Sequence, residues 1–219
     1  MAERSIRCSS ALERRLRAQG YQAIAGVDEV GRGSLFGAVF AAAVVLSPER
    51  QIRGLNDSKQ LDPARRQVLA ERIRERAAAW AVAAVDAATI DRINIYQASR
   101  LAMKRAVEQL RPSADFILVD ALSLDLELPQ KSLIRGDARC HAIAAASIVA
   151  KVARDACLCE WDAVFPGYGL ARHKGYYTPE HVEALRARGP TPLHRLSFDP
   201  VRSQSVFRRD GDLQMGLFA

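Results

Sequence analysis

The chain has 219 residues, 49% hydrophobic and 26% charged, which is long enough for one well-buried domain. No apolar run approaches the roughly 20 residues that a membrane span needs, and the N-terminal sequence MAERSIRCSS has no apolar signal core. We therefore expect a cytoplasmic protein without a membrane partner. The net charge of +7 favours a polyanionic partner, and four cysteines without a C-x-x-C pair predict reduced thiols.

Apolar patterning predicts strands and helices that alternate along the chain. A short helix over 10–20 precedes a buried strand over 23–27 and an apolar strand over 40–46, which are close enough for an antiparallel hairpin. The later predicted elements are a helix from Asp62-Pro63 to about 79, a strand over 80–85, a helix over 95–110, a strand over 116–119, a short strand at 133–134, a long helix over 140–161 and a helix over 179–188. The pattern predicts an α/β fold, a mixed sheet flanked by helices.

Two adjacent acids, Asp28 and Glu29, stand at the end of the first predicted strand. Neighbouring strand side chains point to opposite faces, so both acids cannot face an apolar core. Because burying an unpaired charge is costly, this strand end needs a metal ion or a basic neighbour. The next residues, Gly31-Arg32-Gly33, form a flexible turn whose N–H groups can face an anion. Together the acid pair and the turn indicate phosphate chemistry.

Two further acids, Asp120 and Asp137, follow later predicted strands. If the strands that end at Asp28 and Asp120 are adjacent and parallel, the acids lie at one edge of the sheet, where open α/β sheets bind ligands. Oxygen ligands without matching His or Cys suit Mg²⁺ or Mn²⁺, and two such ions about 4 Å apart can hold a scissile phosphate. The alternative is that each acid is only a turn or cap residue.

Several long motifs resemble those of one known family. They are GVDEVGRGSLFGAV, LNDSKQL, ILVDA, RGDARCHAIAAASIVAKVARD, FPGYGLARHKGYYT and HRLSFDPV. Over roughly 24–201, in the same order and at similar spacing, they are similar to ribonuclease HII. The resemblance implies a ribonuclease-H-like fold with a small helical C-terminal extension. It also implies an endonuclease that cuts the RNA strand of RNA–DNA hybrids, and single ribonucleotides embedded in duplex DNA. Such cutting is on the 5′ side of the ribonucleotide and leaves 3′-hydroxyl and 5′-phosphate ends.

The resemblance also implies residue roles. Asp28, Glu29, Asp120 and Asp137 become the ligands of two Mn²⁺ or Mg²⁺ ions. The implied substrate contacts are Gly31, Arg32 and Gly33 at the ribose 2′-hydroxyl, Tyr176 on the deoxyribose beyond the RNA-to-DNA junction, and Lys59 and Lys174 on phosphates.

For several of these residues a plainer interpretation stands beside the implied role. Either lysine alone is more often a solvated charge, and Tyr176 alone is more often a half-buried loop aromatic. Ser147 and Lys151 lie one helical turn apart on one side of the long helix, where they could touch backbone phosphate. For His194 and Arg195, packing at the C-terminal rim is the default interpretation.

Three positions depart from the pattern that the family commonly has. Ser34 stands where proline is common, Phe36 where a small residue is common, and Ala121 where glycine is common. Ser34 frees a φ angle that proline would fix, so we expect a less rigid turn. Ala121 is expected to restrict the backbone after the acid.

The C-terminal tail carries a second resemblance. Gln214, Leu217 and Phe218 resemble the Q-x-x-L-F peptide that docks into the bacterial sliding clamp, although these residues could instead fold back on the domain or fray. We therefore expect residues 1–200 to form the catalytic domain with its C-terminal helical part, and 201–219 to form a flexible tail. Nothing in the sequence demands a partner subunit, so a monomer is expected.

Two other functional classes are compatible with the residues alone. One is a nuclease or transferase of the same superfold that acts on DNA, which would cut an all-DNA duplex. The other is a silent hybrid-binding protein, and the presence of all four acids argues against it.

Overall fold

The computed structural model describes residues 8–204. They divide into two compact units, the first formed by 8–30, 40–84 and 99–153 and the second by 31–39, 85–98 and 154–204. Within 8–204 no helix is both long enough and apolar enough to cross a membrane. The residues of the clamp-like peptide, 214–218, lie outside the described range.

A five-stranded mixed sheet carries the predicted hairpin and the predicted parallel pair. Its strands are β1 (Ile24–Val30), β2 (Val39–Leu46), β3 (Ala77–Val85), β4 (Phe116–Asp120) and β5 (Gln130–Leu133), in the order β3-β2-β1-β4-β5. β1 pairs antiparallel with β2 and parallel with β4, and β4 pairs parallel with β5. The prediction of a mixed α/β sheet is therefore confirmed.

The α-helices are α1 (Ala11–Ala18), α2 (Pro63–Arg76), α3 (Ala87–Glu108), α4 (His141–Val164), α5 (Leu170–His173) and α6 (Pro179–Arg188), and residues 201–204 are helical as well. The Asp62 side chain caps α2 by accepting from the Arg65 N–H at 2.9 Å, as predicted. α2 ends three residues early because its alanine-rich end joins β3. α3 starts eight residues early and bends at Asn94, where φ is 68°. Two segments that lie between the predicted elements contain a short helical turn, one at Ser58–Gln60 and the other at α5.

Helix α4 packs directly on β1 at a glycine. A Cβ atom on Gly26 would overlap the backbone of Ala142 and Ile143, so only glycine allows this approach. Around this contact, apolar residues of β4, β5 and α1 pack with the start of α4 (Leu118, Leu133, Leu16 and Ile143 among them). Farther along α4, alanines pack with β2 and α2. The start of α4 is thereby placed against the first half of β1, and Ser147, farther along α4, reaches Asp28 near the carboxyl end of that strand.

Candidate active site

Strand parity places Asp28 and Asp120 on one face of the sheet. In the parallel β1–β4 pair Val27 lies opposite Val119, so Asp28 and Asp120 are the next residues of their strands. Asp28 is two residues beyond Gly26, which faces α4, and alternate residues share a face. A hydrogen bond between Asp28 and Ser147 of α4 agrees with this direction. The register of the parallel pair therefore places the two acids at one edge of the sheet, as the sequence predicts.

The turn between β5 and α4 is joined to Asp120 and carries Asp137. Oδ1 of Asp120 accepts from the Gly136 N–H at 2.6 Å, and Oδ1 of Asp137 accepts from the Ala138 N–H at 2.8 Å. A Cβ on Gly136 would lie 3.1 Å from Asp120 Oδ1 and 2.5 Å from Ile143 Cδ1. The glycine therefore lets the turn approach the acid closely.

The four acids are electrostatic neighbours. Burial raises the pKa of Asp28 well above its usual range, the charges of Glu29, Asp120 and Asp137 raise it further, and the Ser147 hydrogen bond lowers it. The pKa values of Asp120 and Asp137 are also raised, chiefly by burial. Like charges held this close in a poorly solvated place favour a bound cation.

The segment before α2 contributes residues that sequence reasoning did not single out. Ser58 is buried, and its Oγ lies 2.9 Å from Ser147 Oγ. The charge of Asp57 raises the pKa of Asp120 and Asp137, whereas the charge of Lys59 lowers both. The polar run NDSK inside an otherwise ordinary loop was the available signal, but only Lys59 was selected from it.

The donor chemistry of the acids fits Mg²⁺ or Mn²⁺, because every candidate ligand is a carboxylate oxygen. Asp28 is only 6% exposed, and Oε2 of Glu29 is buried as well. Within residues 8–204, no three Asp, Glu, His or Cys side chains are already arranged as a metal-binding group. The acids are thus neighbours of the right type and not a preformed chelate.

In the second unit, the Gly31-Arg32-Gly33 turn is held by a buried arginine. Arg195 is fully buried and donates to the carbonyl oxygens of Gly31 at 2.7 Å, Arg32 at 2.8 Å and Gly37 at 2.9 Å. These bonds fix the backbone on both sides of the turn. Arg195 was expected only to pack at the rim, and it does so through specific hydrogen bonds that hold this loop.

A second buried arginine, Arg154 of α4, joins the same loop to the segment of Tyr176. It donates to Ser34 Oγ at 2.7 Å and to the Lys174 carbonyl at 3.0 Å, and its guanidinium lies 5.2 Å from the centroid of the Tyr176 ring. Ser34 Oγ also lies 2.9 Å from the Gly175 carbonyl. Ser34 thus holds the turn through hydrogen bonds where the expectation was a looser turn. Sequence reasoning missed Arg154, whose one signal is a charge within an apolar helix.

A chain of hydrogen bonds between two buried histidines ends on the backbone of Tyr176. The Thr191 N–H donates to His194 Nδ1 at 2.9 Å, the two Nε2 atoms of His194 and His181 lie 3.1 Å apart, and His181 Nδ1 lies 3.0 Å from the Tyr176 carbonyl. Since the carbonyl can only accept, His181 donates from Nδ1 and accepts at Nε2. Both rings are neutral in this arrangement, and they hold Tyr176 in place.

Of the two other lysines singled out from the sequence, Lys174 directly follows α5 and Lys151 lies on α4. The Lys174 amine donates to the Ala171 carbonyl at 2.6 Å and lies 3.0 Å from Cys159 Sγ. Lys151 is half-buried on α4, four residues after Ser147. Ala121, directly after the Asp120 strand end, has φ of 51°, so the alanine lies in the left-handed region that favours glycine and has not kept the backbone out of it.

The fold places the chain among the type 2 ribonucleases H. The crystal structure of ribonuclease H2 from Pyrococcus horikoshii OT3 matches with a TM-score of 0.72 and 25% identity, over 86% of this chain and 100% of that one. A chain of the PCNA:RNase HII complex from Archaeoglobus fulgidus matches with a TM-score of 0.69 and 26% identity, over 81% of this chain and 96% of that one. A ribonuclease-H-like hydrolase is the class that this sheet and its carboxylate edge define.

The sequence narrows this class to one family. The family model of ribonuclease HII matches residues 25–201. Ribonuclease HII of Solibacter usitatus (strain Ellin6076) is 69% identical over 213 residues, which cover 97% of this chain and 93% of that protein. The chain belongs to the ribonuclease HII family. It is accordingly a metal-dependent hydrolase of a family that cleaves the RNA of RNA–DNA hybrids.

Proposed function

We propose that this enzyme hydrolyses both the RNA strand of RNA–DNA hybrids and single ribonucleotides in duplex DNA, cutting on the 5′ side to leave 3′-hydroxyl and 5′-phosphate ends. The observation that carries the proposal is the placement of Asp28 and Asp120 on one sheet face, with Glu29 and Asp137 as charged neighbours. These four carboxylates would hold two Mn²⁺ or Mg²⁺ ions. When bound, such ions activate water and stabilise the leaving oxygen.

The chain's own residues would orient the substrate around these ions. Ser147 donates to Asp28 and so fixes the direction of that carboxylate, and Lys151 on the same helix would contact backbone phosphate. Lys59 offsets the negative charge of the acids and is well placed to meet a phosphate. In this proposal each residue supplies orientation or charge, and none is itself the nucleophile.

We assign recognition of the ribonucleotide to residues of the second unit. The turn of Gly31, Arg32 and Gly33 would contact the ribose 2′-hydroxyl, the group that separates RNA from DNA. Tyr176 would pack on the deoxyribose beyond the junction. Arg195 donates hydrogen bonds to two carbonyls of this turn, which supports a turn that is preorganised for binding. A loop that is already fixed loses little entropy when it binds its ligand.

The test is a duplex that carries one ribonucleotide, incubated with Mn²⁺, with Mg²⁺ or with EDTA, followed by mapping of the cut. We expect one cut on the 5′ side, none with EDTA and none in an all-DNA duplex. Asp28→Asn should lower cleavage by roughly 100-fold or more while duplex binding persists. Asp125→Asn, at an exposed loop acid, is the matched control and should keep wild-type activity. Cutting of the all-DNA duplex would identify a DNA nuclease instead.

We also propose that Gln214, Leu217 and Phe218 dock into a sliding clamp, and that the catalytic chain itself is a cytoplasmic monomer. Support comes from the Q-x-x-L-F pattern and from the related archaeal ribonuclease HII that forms a complex with PCNA. Purified clamp should retain the full chain and lose the variant that lacks 214–219. Equal retention of both would contradict the proposal.

A further inference from the structure

A cavity rich in arginine lies in the first unit between the start of α1 and the loop after β2. Its volume is about 620 Å³, which is within the range of small-molecule sites. Four arginines are among the residues that line it: Arg14, Arg17, Arg50 and Arg53. We propose that this cavity binds the phosphate groups of a nucleotide, at a place distinct from the metal-binding acids.

The charges around the cavity are poorly balanced by the protein. Arg17 donates to the Leu46 carbonyl at 2.8 Å, which fixes it without neutralising it. Arg50 faces Glu75 at 3.9 Å, and both of those side chains are more than half exposed. An anion with several oxygens would satisfy guanidiniums that come together from α1 and from the loop.

Glu13 is the single carboxylate among the residues that line the cavity, and its charge is turned into the protein. Its side chain is 3% exposed, its Oε1 accepts from the Ala142 N–H at 2.9 Å, and Cys140 is also hydrogen-bonded to it. The arginines therefore set the charge that a ligand in the cavity meets.

The cavity borders the acids of the active site through Cys8. The Cys8 thiol donates to the Asp137 carbonyl at 3.6 Å, and Cys8 also lines the cavity. The nucleotide in the cavity is therefore either a free one or a unit of the strand that crosses the acids. In the second case the inference rests on the proposed function.

Binding of ADP to the full chain, measured by calorimetry in EDTA at low salt, tests the free nucleotide. We expect binding that Arg50→Gln with Arg53→Gln weakens by at least roughly 10-fold, since two charge-assisted bonds are lost. The control is Arg72→Gln with Arg105→Gln, which removes equal charge at exposed positions of α2 and α3 and should bind as wild type.

The salt dependence of duplex binding tests the strand. In an Asp28→Asn background, the slope of log K against log salt should become smaller by about 1 to 2 in the cavity variant and stay unchanged in the control. A changed slope without ADP binding would support a strand nucleotide in the cavity. ADP binding that ignores the two substitutions, or no ADP binding and an unchanged slope, would overturn the site. If hybrids are not bound at all, the ADP measurement still decides.

Discussion

Individual side chains in this enzyme differ in how far the sequence could reveal them. Asp28 and Asp120 were predictable because strand alternation and a parallel pair dictate where they point. Arg154 and Arg195 were not, because their partners are carbonyl oxygens of distant segments and a carbonyl leaves no mark in a sequence. The placement of these two acids was therefore predictable from local pattern, whereas the hydrogen bonds that hold the Gly31-Arg32-Gly33 turn required the structure.

Arg195→Lys tests the hydrogen bonds that hold the Gly31-Arg32-Gly33 turn. One ammonium group cannot replace a guanidinium that meets three carbonyls, so at least one buried carbonyl loses its donor. We expect a loss of about 2–3 kcal/mol in the free energy of unfolding and weaker preference for ribonucleotide over all-DNA duplex. Denaturant titration and competitive cleavage measure these. Arg186→Lys, exposed on α6, should change neither, and an unaltered preference in Arg195→Lys would contradict the positioning role.

Ala121→Gly tests the backbone strain beside the acid. With φ at 51°, the alanine Cβ is crowded, and glycine relieves this at some cost in chain entropy. The net expectation is a gain of up to about 1 kcal/mol in unfolding free energy. Ala78→Gly, at an exposed position of β3 without positive φ, should lose stability instead. A lower free energy of unfolding in both variants would show that the backbone conformation at Ala121 does not destabilise the protein.

At the scale of elements, the prediction succeeded where apolar periodicity was continuous and failed where a boundary depended on tertiary contacts. α6 has the predicted bounds because Thr178, Pro179 and Gly189 mark them locally. The end of α2 has no such mark, since the alanines at 77–79 suit either a helix or the strand that they join. In α3 the bend at Asn94 interrupts the helical periodicity, so the sequence pattern did not reveal the turns before it.

Gly26→Ala tests the contact between β1 and α4. The added methyl would overlap backbone atoms of Ala142, which cannot turn away as a side chain can. We expect a loss of more than roughly 3 kcal/mol in unfolding free energy, or no folded protein. Gly33→Ala is the matched control for stability, because nothing lies within 4 Å of its added Cβ. Similar denaturation midpoints for the two variants would contradict this account of the packing.

For the molecule as a whole, stability should depend on pH through its buried histidines. Burial lowers the pKa of His181 to about 4 and that of His194 to about 3, against 6.5 in the unfolded chain. The unfolded state therefore binds these protons first as the pH falls. The stabilising contribution of the neutral pair is complete above pH 6.5 and is lost progressively between 6.5 and 3–4.

Thermal denaturation from pH 7.5 to 4 measures this effect. The raised pKa values of Asp28, Asp120 and Asp137 act in the opposite direction, so the histidine effect is measured as a difference between two proteins. We expect the midpoint temperature of the wild type to fall more steeply below pH 6.5 than that of a His194→Gln variant, which starts lower and lacks one of the titrating rings. Equal pH dependence of the two midpoints between pH 6.5 and 4 would contradict the prediction.

The pairing of Val27 with Val119 restricts where an acid can be moved during engineering. Transplanting the Asp120 carboxylate one position back along β4 would send it through to the opposite side of the sheet, away from Ser147 and α4. Two positions back the side is right again, but there Leu118 packs against the start of α4 in the apolar interior. Position 120 is therefore the single place on this strand where a carboxylate both faces Asp28's side and escapes the core.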